Sequence, residues 1–151
     1  MDAFAEQYRA FLAEFGAGRK MVLSTAENGS VSSRMMSVVQ ISGAFFFQTD
    51  RTLRKYRQLT RNPQIALCID NIQIEGVCAE LGHPLDHAAF AAAFRQQFRG
   101  SFDAYTALKN ERLFTVRPTF IERWIYRDAV PYIERFDIEH QQYSLAAYQG
   151  E

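Results

Sequence analysis

Residues 34–63 hold the side chains of this chain best suited to chemistry. Arg34 opens the run Arg34-Met35-Met36-Ser37-Val38-Val39, Thr49 closes on Phe47-Gln48-Thr49-Asp50, and Arg54-Lys55 follow at once. A phosphate monoester carries close to two negative charges. It is best held by guanidinium forks, an ammonium, a hydroxyl and the free amides of a helix start acting together. All four supplies occur here. The plain alternative is that Arg54, Arg57 and Arg61 are one solvated face of a helix, and charge alone favours that alternative.

Other reactive side chains make weaker patterns. His83 and His87 have the spacing of metal ligands on a helix, but Pro84 makes His83 a pre-helical residue and no third ligand is near, so both read as surface or capping histidines. Asp86-His87 and Ser32-Ser33 lack a nucleophile motif, which leaves a hydrolase unsupported. Cys68 and Cys78 lie in apolar, strand-like segments, match neither a CxxC pair nor a zinc motif, and are expected as buried free thiols.

The elements that must position these residues follow from periodicity. Phe4, Tyr8, Phe11, Leu12 and Phe15 predict an amphipathic helix ended by Gly16 and Gly18. Asn28-Gly29 and Ser42-Gly43 are turn signals separating strands at about 20–26, 30–41 and 44–49. Asp50 or Thr52 is expected to cap a short helix carrying Leu53, Tyr56 and Leu59. Strands are expected at 64–70 and 72–81, joined through Asp70-Asn71. Pro84 opens a helical stretch in which Phe90, Phe94 and Phe98 repeat, with a further turn of helix at 102–109. Residues 112–127 read as a strand in which Pro118 implies an edge or a bulge, another strand lies near 131–138, and the tail after Glu139 is expected to fray or dock weakly.

With 151 residues, 17 basic against 17 acidic side chains and 48 % hydrophobic residues, the chain reads as one domain over residues 1–151. A chain of this length has core enough without disulfides or a structural metal. Balanced charge supplies no field to draw in nucleic acid or an acidic membrane. No basic-then-apolar leader and no run of about 18 apolar residues is visible, so the expected setting is the cytoplasm, without a membrane. Many short antiparallel strands with helices at their ends predict a mainly β, α+β fold: a six- to seven-stranded antiparallel barrel with an N-terminal helix and inserted helices.

In order and without a gap, Arg34-Met35-Met36-Ser37-Val38-Val39, Phe47-Gln48-Thr49-Asp50, Arg54-Lys55 and Asn62-Pro63 resemble the flavin-binding core of the pyridoxamine 5′-phosphate oxidase family. Gln73-Ile74-Glu75-Gly76 and Glu122-Arg123-Trp124 are similar to two later segments of that family, and the resemblance spans about residues 20–127. It implies a split β-barrel that binds FMN at a homodimer interface. Carried over, it has Arg34, Arg54 and Lys55 on the phosphate and Thr49 near the phosphate and ribityl end. Met35, Met36 and Ser37 pass their backbone along the isoalloxazine edge, and Gln48 stands where the family usually has Tyr. Gln73 and Trp124 reach the flavin from the partner chain; the plain alternative for Trp124 is a core residue.

The chain departs from authentic pyridoxamine phosphate oxidases at the substrate. Where they carry a Lys five residues after the Arg, this chain has Val39, and their late Arg-x-His is replaced by Ile125-Tyr126-Arg127-Asp128. Oxidation of pyridoxamine phosphate is therefore not expected. The resemblance implies an FMN-dependent oxidoreductase, one of the family's small bacterial relatives, passing hydride or electrons between an unidentified small substrate and a partner such as NADH or NADPH. The alternatives are a flavin-binding carrier or sensor without turnover, or a barrel that holds haem or a deazaflavin.

Overall fold

The structure is a computed structural model and describes residues 2–150. Helix α1, Ala3–Phe15, starts where the Asp2 carboxylate accepts a hydrogen bond from the Ala5 amide at 2.8 Å and stops at Gly16, whose φ of 87° a side chain would resist. Its buried stripe is Phe4, Phe11 and Phe15, as the spacing predicts.

Strands β1 (Gly18–Glu27), β2 (Ser30–Ile41) and β3 (Ala44–Asp50) form an antiparallel meander. Asn28-Gly29 and Ser42-Gly43 turn it with φ of 50° and 80°, and 52° and 87°, the positive pair that two-residue hairpins require. After α2 (Arg54–Arg61) come β4 (Gln64–Ile69) and β5 (Ile72–Gly82). A helical insertion follows: a 3₁₀ turn at Pro84–Asp86, α3 (Ala88–Gln97), the single turn α4 (Arg99–Ser101) and a π-helical turn at Phe102–Thr106. The chain ends in β6 (Glu111–Arg127), β7 (Val130–Asp137) and β8 (Gln142–Ala147).

Strand order β3-β2-β1-β4-β5-β6 closes on itself because β6 also pairs with β3, from Phe45↔Val116 to Asp50↔Glu111. The result is a closed six-stranded antiparallel barrel. The second half of β6 runs on beyond the closure and carries β7 and β8. Met21, Leu23, Val38, Phe45, Phe47, Leu67, Ile74 and Ile121 fill the barrel. Pro118 sits opposite Gly76 at a register shift, confirming the bulge. A Cβ on Gly76 would lie 2.7 Å from a Val116 methyl and 2.9 Å from the Arg117 carbonyl, so only glycine fits.

Four expectations need correction. The tail does not fray: β8 pairs with β7, and Tyr143 packs on Phe136 while its hydroxyl donates to the buried Glu134 at 2.7 Å. Only Cys78 of the two free thiols is buried, because alternation along β4 turns Cys68 outward beside the inward Leu67. No side chain caps α2: Leu53 holds the cap position, and Asp50 instead accepts from the amide and hydroxyl of Thr52, both at 2.7 Å. The stretch after Pro84 is also not one helix, since the chain is extended at His87 before α3 begins.

Candidate cofactor site

A second cluster of buried residues explains how a cleft forms at one barrel mouth. Phe90 and Phe94 of α3 pack against Val39 of β2 and Leu113 of β6, on the outside of the barrel wall. The π-helical turn is tied down where the Thr106 hydroxyl donates to the Gln48 amide oxygen at 3.0 Å, both groups being buried. Between this insertion, the N-terminal end of α2, the middle of β2, the end of β3 and the start of β6 lies a cavity of about 370 Å³, a size suited to a cofactor or small ligand.

Six of the ten residues singled out in the sequence line it: Met35, Met36, Ser37, Gln48, Thr49 and Lys55. Thr49 is 3 % exposed and its hydroxyl has no hydrogen-bond partner. The Lys55 ammonium lies 3.6 Å from the Met36 sulfur, a weak acceptor, and forms no ion pair among the described residues. Burial, and then the neighbouring Arg34, hold it below the usual lysine range.

Arg34 is half-buried and fixed by the protein. Its guanidinium donates to the Thr25 hydroxyl at 2.9 Å, the Leu23 carbonyl at 3.2 Å and the Gln58 amide oxygen at 2.7 Å. Burial and then Arg54 lower its pKa. Arg54, at the first position of α2, is exposed and also without an ion pair among the described residues. Farther along α2 the charges are neutralised, since Arg57 and Arg61 reach Glu27 at 3.3 and 2.7 Å. The helix is therefore split, with a solvated, paired end and an unpaired cationic end beside the cavity.

These features fit a phosphate monoester. Three cations, of which Arg34 and Lys55 are each held low by burial and a neighbouring guanidinium, form no ion pair among the described residues, a buried hydroxyl has no hydrogen-bond partner, and the first-turn amides of α2 have no side-chain cap.

Gln73 and Trp124 do not line this cavity. Gln73 is exposed on the outer face of β5, opposite Cys68 and Glu122, and the Trp124 ring packs 5.0 Å from Tyr148. The cavity also contains Glu111, which sequence reasoning missed; its buried carboxyl is pushed above the ordinary range by burial and then by Asp50. No local signal marked it, since its place depends on β6 closing onto β3. A larger groove of about 490 Å³ on the outer faces of β1, β4 and β5 has no lysine or arginine in its lining, so it does not suit an anion.

The histidines are structural. Nε2 of His83 bonds the Leu108 carbonyl and Nε2 of His87 the Leu81 carbonyl, and among the described residues no three His, Cys, Asp or Glu side chains converge as a metal site would need. No helix among the described residues is long and apolar enough to cross a membrane.

A closed antiparallel barrel with a cleft at one mouth and strands carried outside it defines the split-barrel class. The chain belongs to the pyridoxamine 5′-phosphate oxidase family, whose model matches residues 4–125. No curated protein matches the sequence. Among solved structures, a pyridoxamine 5′-phosphate oxidase-related, FMN binding protein from Nostoc punctiforme is similar with 14 % identity and a TM-score of 0.65, covering 97 % of this chain and 93 % of that one. PhzG from Burkholderia lata, solved with tetrahydrophenazine-1-carboxylic acid, has 17 % identity, a TM-score of 0.61 and coverage of 96 % and 90 %. HutZ, the heme storage protein from Vibrio cholerae, has 18 % identity, a TM-score of 0.61 and coverage of 76 % and 89 %. At these identities the likeness is one of fold.

Proposed function

We propose that this protein is a cytoplasmic, homodimeric FMN-dependent oxidoreductase whose cavity at the barrel mouth holds the flavin. The observation that carries this reading is the cluster of Arg34, Arg54 and Lys55, none of them in an ion pair among the described residues, beside the Thr49 hydroxyl that has no hydrogen-bond partner. Family membership supports it. Arg54 and Lys55 hold the phosphate. Arg34, locked by Thr25 and Gln58, presents a fixed positive charge behind them, and Thr49 donates its free hydroxyl. The backbone of Met35, Met36 and Ser37 borders the ring, with Gln48 kept in place by Thr106.

Three charge-assisted hydrogen bonds at about 1.5–3 kcal/mol each give roughly 5–9 kcal/mol before costs. Micromolar binding needs about 8 kcal/mol net of immobilisation, so the ring system must be buried too. That burial is the role given to the partner's Gln73 and the partner's Trp124. When bound, the flavin supplies hydride or electron transfer, and the chain holds and tunes it.

Val39 argues against pyridoxamine phosphate as substrate, because it is fully buried against Phe90 and Phe94 and offers no donor. A haem reading draws on the likeness to HutZ but finds no histidine in the cavity. Reduction by NADH or NADPH, followed by stopped flow, separates an oxidoreductase from a carrier.

Replacing both Arg54 and Lys55 by Ala is expected to weaken FMN binding by about a hundredfold or more, while riboflavin, which lacks the phosphate, changes by less than about threefold. Fluorescence titration of both ligands checks this. Equal losses for the two would remove the phosphate assignment.

A further inference from the structure

Glu111 is the acid of the cavity that flavin binding leaves without a task. It opens β6 directly across from Asp50 on β3, is 5 % exposed, and lines the same space as Lys55 and Thr49. Its carboxylate makes no hydrogen bond or ion pair with any described residue, whereas Asp50 is satisfied by the amide and hydroxyl of Thr52. Four titratable groups face it from the surrounding elements. Asp50 comes from β3, Lys55 from α2 and His83 from the start of the insertion, while the π-helical turn brings Tyr105 to the cavity. Of these, Lys55 is the cation whose charge a phosphate would claim.

We propose that Glu111 is the proton acceptor of the site, taking one proton from solvent as a phosphorylated flavin seats on Arg54 and Lys55. The inference rests on the flavin reading above. A phosphate dianion neutralises Lys55 as a counter-charge for Glu111, adds negative charge to that of Asp50, and removes water from a carboxyl that is already buried. Each change favours the neutral acid. The carboxylate oxygen gains the proton, no other bond is made or broken, and Glu111 becomes an O–H donor facing the ligand instead of an anion repelling it. Burial and then Asp50 already raise the pKa of this group in the ligand-free chain, the same direction in which a bound phosphate would move it.

The sign follows from linkage. A group whose pKa rises on binding takes up a proton, and affinity falls as pH rises between its free and bound values, by at most about tenfold per pH unit. FMN is titrated into wild type and Glu111→Gln in two buffers of different ionisation enthalpy, and affinity is followed from about pH 5 to pH 8. Wild type is expected to take up as much as one proton per FMN, with affinity falling with pH relative to Glu111→Gln. The second ionisation of the phosphate, near pH 6, acts on both proteins alike and divides out of the comparison. Riboflavin should give a smaller uptake.

An infrared difference spectrum of wild type on adding FMN should gain the carbonyl band of a protonated carboxylic acid, a readout independent of any variant. FMN binding with no proton uptake and no such band overturns the proposal. So does uptake that persists in Glu111→Gln, which would place the proton on another group. If wild type binds no FMN at all, the flavin reading itself fails.

Discussion

Among the described residues, Thr49 and Tyr8 are the two side chains whose buried hydroxyls have no hydrogen-bond partner, and they differ in their surroundings. Thr49 borders the cavity, whereas Tyr8 lies in the aromatic cluster of α1, stacked on Phe4 and Phe11, with burial pushing its phenol up to about 12. An unmade buried hydrogen bond costs about 1–3 kcal/mol, so removing either hydroxyl should stabilise the ligand-free protein. Thr49→Val and Tyr8→Phe are each expected to raise Tm by about 2–4 °C per kcal/mol recovered. Only Thr49→Val should also weaken FMN binding, by about tenfold. Calorimetry and flavin titration on the same two variants test the pair. A Thr49→Val protein that gains stability and keeps its FMN affinity would make that hydroxyl a packing defect. Thr49 and Lys55, which both line the cavity, could be grouped from the sequence because they lie close together along the chain. Glu111 could not, because its place in the cavity depends on closure of β6 onto β3, a pairing of residues some sixty positions apart that no local pattern encodes.

Helix α2 shows how one element serves two purposes. Its sequence places Arg54, Arg57 and Arg61 at helical spacing, the pattern of a solvated face, and for the last two that plain reading holds because Glu27 at the end of β1 pairs with both. Their hydrogen bonds hold the Glu27 carboxyl below its usual 4.5, so the pairing persists at neutral pH and is lost only as pH falls below that value. Arg57→Ala and Arg61→Ala are therefore expected to leave FMN affinity within about twofold of wild type, while Arg54→Ala lowers it several-fold or more. Equal losses at all three positions in a fluorescence titration would turn the specific site into a general field. At this scale the legible elements were those with strong local signals: the glycine turns, the phenylalanine stripe of the insertion and the Pro118 bulge. Strand β8 was missed because it is an edge strand with an exposed, polar outer face. What holds it is nonlocal: Tyr143 reaches Glu134, which also pairs with Arg123, and Arg123 in turn binds Glu14 of α1 at 3.1 Å.

For the whole molecule, the question is how Gln73 and Trp124 could reach a flavin seated in a cavity that neither of them lines. Both face outward from the sheet on the side opposite the barrel core, in a row with Cys68 and Glu122, and neither lines the cavity. Within one chain they cannot share a site with Lys55. In a two-fold dimer each cavity would meet the outer face of the other chain, and the pair would complete it. This arrangement predicts complementation. One chain carries Arg54→Ala with Lys55→Ala, and the other carries Gln73→Ala with Trp124→Ala; each alone binds FMN poorly. After unfolding and refolding as an equal mixture, half the dimers are mixed. Each mixed dimer has one site with both lesions and one with neither, so about a quarter of all sites should recover wild-type affinity. Titration of the mixture with FMN counts them, and sedimentation of wild type should give about twice the chain mass of 17.4 kDa. Dimers with no recovered sites would return Gln73 and Trp124 to ordinary surface and packing roles and leave each cavity to bind its ligand from one chain.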